Sequence, residues 1–136
     1  VLVNPAPNRF YVVDEERFAL PKPEPERAAT AESALKTNEM MKLVLSPSGT
    51  APNFKKEANL LNFPEVSAKT GSGMVADLWF FAVTPKLIVG VWAGLPNNEI
   101  TLDMKQGFTG GKVAAPIAAR FFQKLQKSNP DLLKAR

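Results

Sequence analysis

Residues 65–94 read EVSAKTGSGMVADLWFFAVTPKLIVGVWAG, and this stretch decides the fold. Three short runs read as strands, Glu65 to Ser72, Leu78 to Val83 and Leu87 to Gly94, the last rich in Ile, Val and Trp. Only Gly73 to Asp77 separates the first pair, and Thr84, Pro85 and Lys86 the second. A parallel crossover needs about a dozen residues or more, so connections this short join antiparallel neighbours. The stretch is therefore expected to form an antiparallel meander, with Trp79, Phe80, Phe81 and Trp92 packed mainly in layers against helices.

Helical signals lie on both sides of the meander. Upstream, Thr30 is a good N-cap, Glu32 puts an acid in the first turn, and Ala34, Met41 and Leu45 share a face that Asn38 interrupts. Pro47 and Gly49 end that helix. Residues 51–64 read as a loop with a helical turn at Lys55 to Leu61. Downstream, Ile117, Phe121 and Leu125 fall at i, i+4 and i+8, flanked by Ala114, Ala118 and Phe122, which predicts an amphipathic helix from about Val113 to Lys127. Pro116 fits its first turn, where a missing N–H breaks no helical bond, and Asn129 and Pro130 stop it. The fold class that follows is α+β, an antiparallel sheet flanked by helices.

The first 29 residues differ in character. Five of the twelve prolines lie here, and Pro21, Pro23 and Pro25 alternate with Lys22 and Glu24 in a pattern that excludes helix and suits an extended connector. Arg9 to Val13 reads as a short strand, with Asp14, Glu15 and Glu16 as the solvated turn after it. The expected organisation is a proline-rich connector over 1–29, one domain over 30–128 and a tail over 129–136.

Composition narrows the chemistry. The 136 residues contain neither His nor Cys, which removes serine-histidine and cysteine-histidine nucleophile pairs, zinc sites built on imidazole or thiolate, and disulfides. Seventeen Lys and Arg against thirteen Asp and Glu give a net charge of +4, and the excess is scattered, apart from Lys55 and Lys56 and the C-terminal Arg120, Lys124, Lys127, Lys134 and Arg136. None of these is interleaved with aromatics as a nucleic-acid surface would require, so no nucleic acid is expected as a partner. The apolar run Leu87 to Leu95 is nine residues, far short of the ~18 of a membrane span. The chain starts at Val1 rather than Met, which suggests a processed product or a fragment. Gly110 and Gly111 lack a P-loop lysine-serine and read as a turn before the last helix; Asn97 and Asn98 suit a hairpin turn.

Lys69-Thr70-Gly71-Ser72, at the end of the first strand, supplies a cation, two hydroxyls and a backbone N–H that a ligand can approach closely. That set suits a carboxylate and a developing oxyanion. Lys-Thr-Gly is also one motif of the serine-acylating superfamily of penicillin-binding proteins and class A β-lactamases. With Ser48-Gly49-Thr50-Ala51 before it, and Asp77-Leu78-Trp79-Phe80, Thr84-Pro85, Val89 to Gly94, Thr109-Gly110-Gly111 and Ala114-Ala115-Pro116-Ile117 after it, the chain resembles the C-terminal part of the transpeptidase domain of class A, bifunctional penicillin-binding proteins. The resemblance runs from about Thr30 to Leu125.

It implies part of a penicillin-binding protein/β-lactamase-like fold from a bacterial, extracytoplasmic peptidoglycan D-alanyl-D-alanine transpeptidase working through an acyl-serine. Carried onto this sequence, it makes Lys69 catalytic, supplying positive potential and helping proton transfer around the serine. Thr70 and Ser72 hydroxyls would hold the terminal carboxylate, Gly71 would let it approach, and the Ser72 N–H would be an oxyanion donor. No metal or organic cofactor is implied. The partners would be peptidoglycan stem peptides, β-lactams and the upstream part of the same polypeptide, which carries the nucleophile. Ser33-Ala34-Leu35-Lys36 spells S-x-x-K but lies too close to Lys69 in sequence to be it, so this chain alone is expected to be inactive. The rival reading is a noncatalytic protein- or cell-wall-binding module, or an inert fragment.

Overall fold

The computed structural model describes residues 2–3, 10–11, 29–73, 77–94 and 107–133. The chain divides into two units, Val1–Thr30 and Ala31–Arg136. In the first, strands β1 (Leu2–Val3) and β2 (Phe10–Tyr11) pair antiparallel, Leu2 opposite Tyr11. The acidic trio and the alternating prolines, like Asn97 and Asn98 further on, lie outside the described residues.

The second unit holds α1 (Ala31–Lys42), α2 (Phe54–Glu57), β3 (Ser67–Ser72), β4 (Leu78–Val83), β5 (Ile88–Ala93) and α3 (Ala114–Ser128). The strands form one sheet in the order β3-β4-β5, both pairings antiparallel, with Thr70 opposite Phe80 and Phe80 opposite Val91. The fold is α+β, a three-stranded antiparallel sheet with helices. Thr84 closes the β4–β5 turn: its amide donates to the Leu87 carbonyl at 2.9 Å, and the Leu87 amide donates to its hydroxyl at 2.9 Å.

The core lies on one face of the sheet, centred on three fully buried phenylalanines from three elements. Phe54 of α2 meets Phe80 of β4 at 4.6 Å between ring centroids and Phe122 of α3 edge-on at 5.9 Å. Val66, Ala68, Ala82, Leu60 and Leu133 belong to the same cluster, as do the inward alanines of α3. Gln126 of α3 donates to the carbonyls of Ala58 and Asn59, at 2.8 and 3.1 Å, satisfying groups that the short α2 leaves unbonded.

The structure corrects three expectations about which faces are buried. Along β4, strict alternation sends Phe80 into the core and Trp79 and Phe81 to the opposite face, where Trp92 of β5 joins them at 40, 38 and 47% exposure respectively. No helix covers these three among the described residues, so only Phe80 of the four aromatics is core. On α3, the buried face is Ala114, Ala115, Ala118, Ala119 and Phe122, while Ile117 and Phe121 stay about half exposed. Small side chains let the helix lie close to the sheet, and this close approach, rather than the bulk of the Ile117 stripe, selects the contact face. On α1 nothing is fully buried and Ala34 is exposed. Asn38, half-buried, accepts a hydrogen bond at 2.5 Å from the buried Ser67 hydroxyl of β3. The polar residue that interrupts the apolar face is thus the one that ties α1 to the sheet.

Candidate functional site

The outer edge of β3 is built by strand alternation. The Gly73 amide donates to the Asp77 carbonyl at 2.8 Å, fixing the odd-numbered backbone groups of β3 toward β4. Successive groups point opposite ways, so the amides of Thr70 and Ser72 are directed to the outer edge. The side chains of Thr70 and Ser72 lie with Ala68 on the helix-bearing face; those of Lys69 and the position of Gly71 lie on the aromatic face.

A loop and a turn close over Thr70 and Ser72. After α1, a 3-10 turn (Leu43–Leu45) leads through Gly49 to Thr50, and the Ala51 amide donates back to Val44 at 2.9 Å. This sets the Thr50 hydroxyl oxygen 2.8 Å from that of Thr70. From the other side, the segment before α3 places Gly110 and Gly111 directly on backbone. A Cβ on Gly110 would stand 2.1 Å from the Trp79 carbonyl oxygen, and one on Gly111 would stand 2.0 Å from that of Thr50. Glycine is needed here for approach, not only for turning. With Gly110 seated, its amide donates to the Ser72 hydroxyl at 3.1 Å.

The result is a cavity of about 270 Å³ lined by Thr50, Thr70, Ser72, Thr109 and Gly111. A second, of about 410 Å³, shares Thr50, Thr109 and Gly111 with it and reaches Asn53, Glu57 and Lys112. Of the sequence-derived site residues, the structure brings Thr70 and Ser72 together in the first cavity. Lys69 is exposed, does not line it, and donates its ammonium to the Thr70 carbonyl, so it lies along the outer edge of β3. Gly71 faces Trp79, and a Cβ there would press on the Trp79 Cβ at 3.1 Å. Ser33 sits on exposed α1, its carbonyl accepting the Thr37 hydroxyl. Thr109, and the part Thr50 plays beside Thr70, were not identified from sequence as site features. Their common signal is a hydroxyl next to glycine in a block flanking the motif.

The lining of the cavity, among the described residues, is uncharged and rich in hydroxyls. Among the described residues, no cluster of three or more acidic side chains gathers that could hold a metal ion, and no helix is long and apolar enough to cross a membrane. An arrangement of hydroxyls and outward amides can bind and orient an anion or a carbonyl oxygen. It contains, among the described residues, no activated nucleophile of its own.

No family model and no solved structure matches the chain. Among curated proteins, the similarity is to penicillin-binding proteins. The sequence is 33% identical over 102 residues to Penicillin-binding protein 1A of Clostridium botulinum, in both the Langeland (type F) and Hall (type A) strains. The match takes in 74% of this chain and 12% of the length of each relative, so the chain spans only a small part of the relatives it matches.

Proposed function

We propose that the chain forms one wall of the penicillin-binding cleft of a class A, serine-type peptidoglycan D-alanyl-D-alanine transpeptidase. Its position is the C-terminal part of the transpeptidase domain, over residues 30–128, and its setting is extracytoplasmic. The observation that carries this reading is the convergence of the Thr70 and Ser72 hydroxyls beside the outward Ser72 amide, in a chain similar over most of its length to a penicillin-binding protein. In the proposed reaction, a serine from upstream polypeptide attacks the carbonyl between the two D-alanines along the free edge of β3. Its proton passes to the departing amine, the terminal D-alanine leaves, and an amine of a neighbouring stem peptide displaces the serine from the acyl-enzyme. Thr70 and Ser72 hold the terminal carboxylate, the Ser72 N–H receives the oxyanion, and the Lys69 ammonium, lying on the same edge, favours the anionic ligand and the proton transfer. A β-lactam enters by the same carboxylate and stops at the acyl-enzyme.

A fluorescent penicillin tests this reading. The longer polypeptide that contains this chain should be acylated, and the 136-residue chain alone should not. In the longer polypeptide Lys69→Ala should slow acylation by about ten- to a hundredfold, the equivalent of one charge-assisted contact. Stoichiometric labelling of the short chain that Ser33→Ala abolishes would make it a miniature enzyme, and normal labelling after Lys69→Ala would remove the Lys-Thr-Gly assignment. The uncovered Trp79, Phe81 and Trp92 face is what favours the second reading, a noncatalytic binding module. That reading gains if the longer polypeptide is not acylated at all.

A further inference from the structure

We infer that the cavity beside β3 is wired as a set of three hydroxyl donors, with Thr109 as a third direct ligand of the carboxylate and Thr50 as the residue that orients Thr70. The inference rests on the transpeptidase reading above and adds two residues to its ligand site. A hydroxyl has one proton and two lone pairs, so what it offers a ligand depends on what its other side already meets. The Ser72 oxygen accepts the Gly110 amide at 3.1 Å, which leaves its proton for the cavity. The Thr109 oxygen accepts the Lys112 amide at 3.3 Å, with the same consequence. Backbone amides cannot reverse roles, so each hydroxyl spends a lone pair on its amide and keeps its proton to donate into the space they line together.

Thr70 differs, because its partner is another hydroxyl and either oxygen of the Thr50–Thr70 pair can donate. A carboxylate in the cavity decides the direction. Thr70 turns its proton to the anion, and Thr50, which can donate in its place, fills the lone pair that Thr70 exposes. A donated bond also polarises the acceptor hydroxyl and strengthens its own donation. Thr50 is therefore a positioning residue, acting on the ligand only through Thr70. Gly111 keeps this geometry, since any side chain there would strike the Thr50 carbonyl. Donors alone, with no acidic residue lining the cavity among the described residues, select an anion over a neutral ester of the same shape.

The test compares a penicillin bearing a free carboxylate with its methyl ester, as acylation kinetics of the longer polypeptide at varied ligand concentration. Thr109→Val and Thr50→Val should each raise the half-saturating concentration of the acid about three- to tenfold, a larger change than in the limiting acylation rate. The ester, acylated slowly by the unaltered protein, should be indifferent to both. Thr109→Ser and Thr50→Ser should restore the acid to within about twofold, because they return the hydroxyl without the methyl. If a valine variant fails to fold, Thr109→Ala or Thr50→Ala reads the same acid-to-ester ratio. Equal effects on acid and ester, no effect on the acid, or serine variants as weak as the valine ones overturn the inference. An unaltered longer polypeptide that neither ligand acylates overturns the transpeptidase reading itself, and the donor arrangement as a carboxylate site with it.

Discussion

At the scale of single residues, the site depends on glycines whose neighbours cannot yield. Gly90 and Gly110 make the contrast. A Cβ on Gly90 would meet the Phe81 ring at 2.6 Å, and that ring is an exposed side chain able to turn aside. A Cβ on Gly110 would meet two backbone carbonyls, Trp79 at 2.1 Å and Gly71 at 2.5 Å, both locked in the β3–β4 ladder. Gly110→Ala should therefore destabilise the chain by about 3 kcal/mol or more, and Gly90→Ala by about 1 kcal/mol or less, as urea midpoints will show. Equal midpoints would mean that the turn before α3 is free to move off the sheet. Lys55 offers a second residue-scale test. Its ammonium donates to the Phe63 carbonyl at 2.9 Å, and burial, then the like charge of Lys42, hold its pKa below the usual 10.5, with Glu65 opposing. The unfolded chain thus binds more protons than the folded one between the lowered pKa and 10.5, and stability rises with pH across that window. Lys55→Gln should remove this alkaline gain, so the stability of the native chain relative to the variant should increase as pH is raised toward 10.5. A difference that stays flat with pH would mean that Lys55 is solvated in the folded state.

At the scale of elements, the sequence announced where helices and strands run better than which way they face. β-Branched and aromatic residues concentrate in β4 and β5, and β4 spans Leu78–Val83 as expected, because hairpin spacing and alternation are local properties. The faces depend on partners far away in sequence. Ile117 and Phe121 satisfy helical spacing, yet α3 turns its alanines inward because Phe54 and Phe80 already fill the space where Phe122 enters. The motif Lys69-Thr70-Gly71-Ser72 was legible for the same local reason that β3 was. The cavity was not, since it requires Thr50 and Thr109 to meet Thr70 and Ser72 from two loops. The α3 geometry gives its own prediction: Phe122→Ala should cost about 3 to 5 kcal/mol, whereas Phe121→Gln should change stability by about 0.5 kcal/mol or less, both by thermal or urea unfolding. A larger loss at Phe121 than at Phe122 would restore the face read from periodicity alone.

At the scale of the whole molecule, the sheet has, among the described residues, one covered face and one uncovered face, and the difference sets how the chain should behave in solution. Trp79 stacks on Phe81 with centroids 5.6 Å apart and rings 5° from parallel, and Trp92 leans against Trp79 at 6.3 Å while its indole N–H donates to Asp77 at 2.7 Å. These contacts order the three rings without removing them from solvent. Both tryptophans of the chain lie on this face, so tryptophan fluorescence reports on it. In the 136-residue chain, acrylamide should quench both efficiently, and Trp79→Phe and Trp92→Phe should each leave a single, still quenchable emitter. A contiguous aromatic surface of this kind is characteristic of an interface. If the chain is one wall of a larger domain, the same tryptophans in the longer polypeptide should be shielded, with a blue-shifted emission and quenching reduced severalfold. Equal quenching in the two would mean that the rest of the polypeptide does not pack on this face. The wall would then be assembled through the edge of β3 alone, where Lys69 and the Ser72 amide lie.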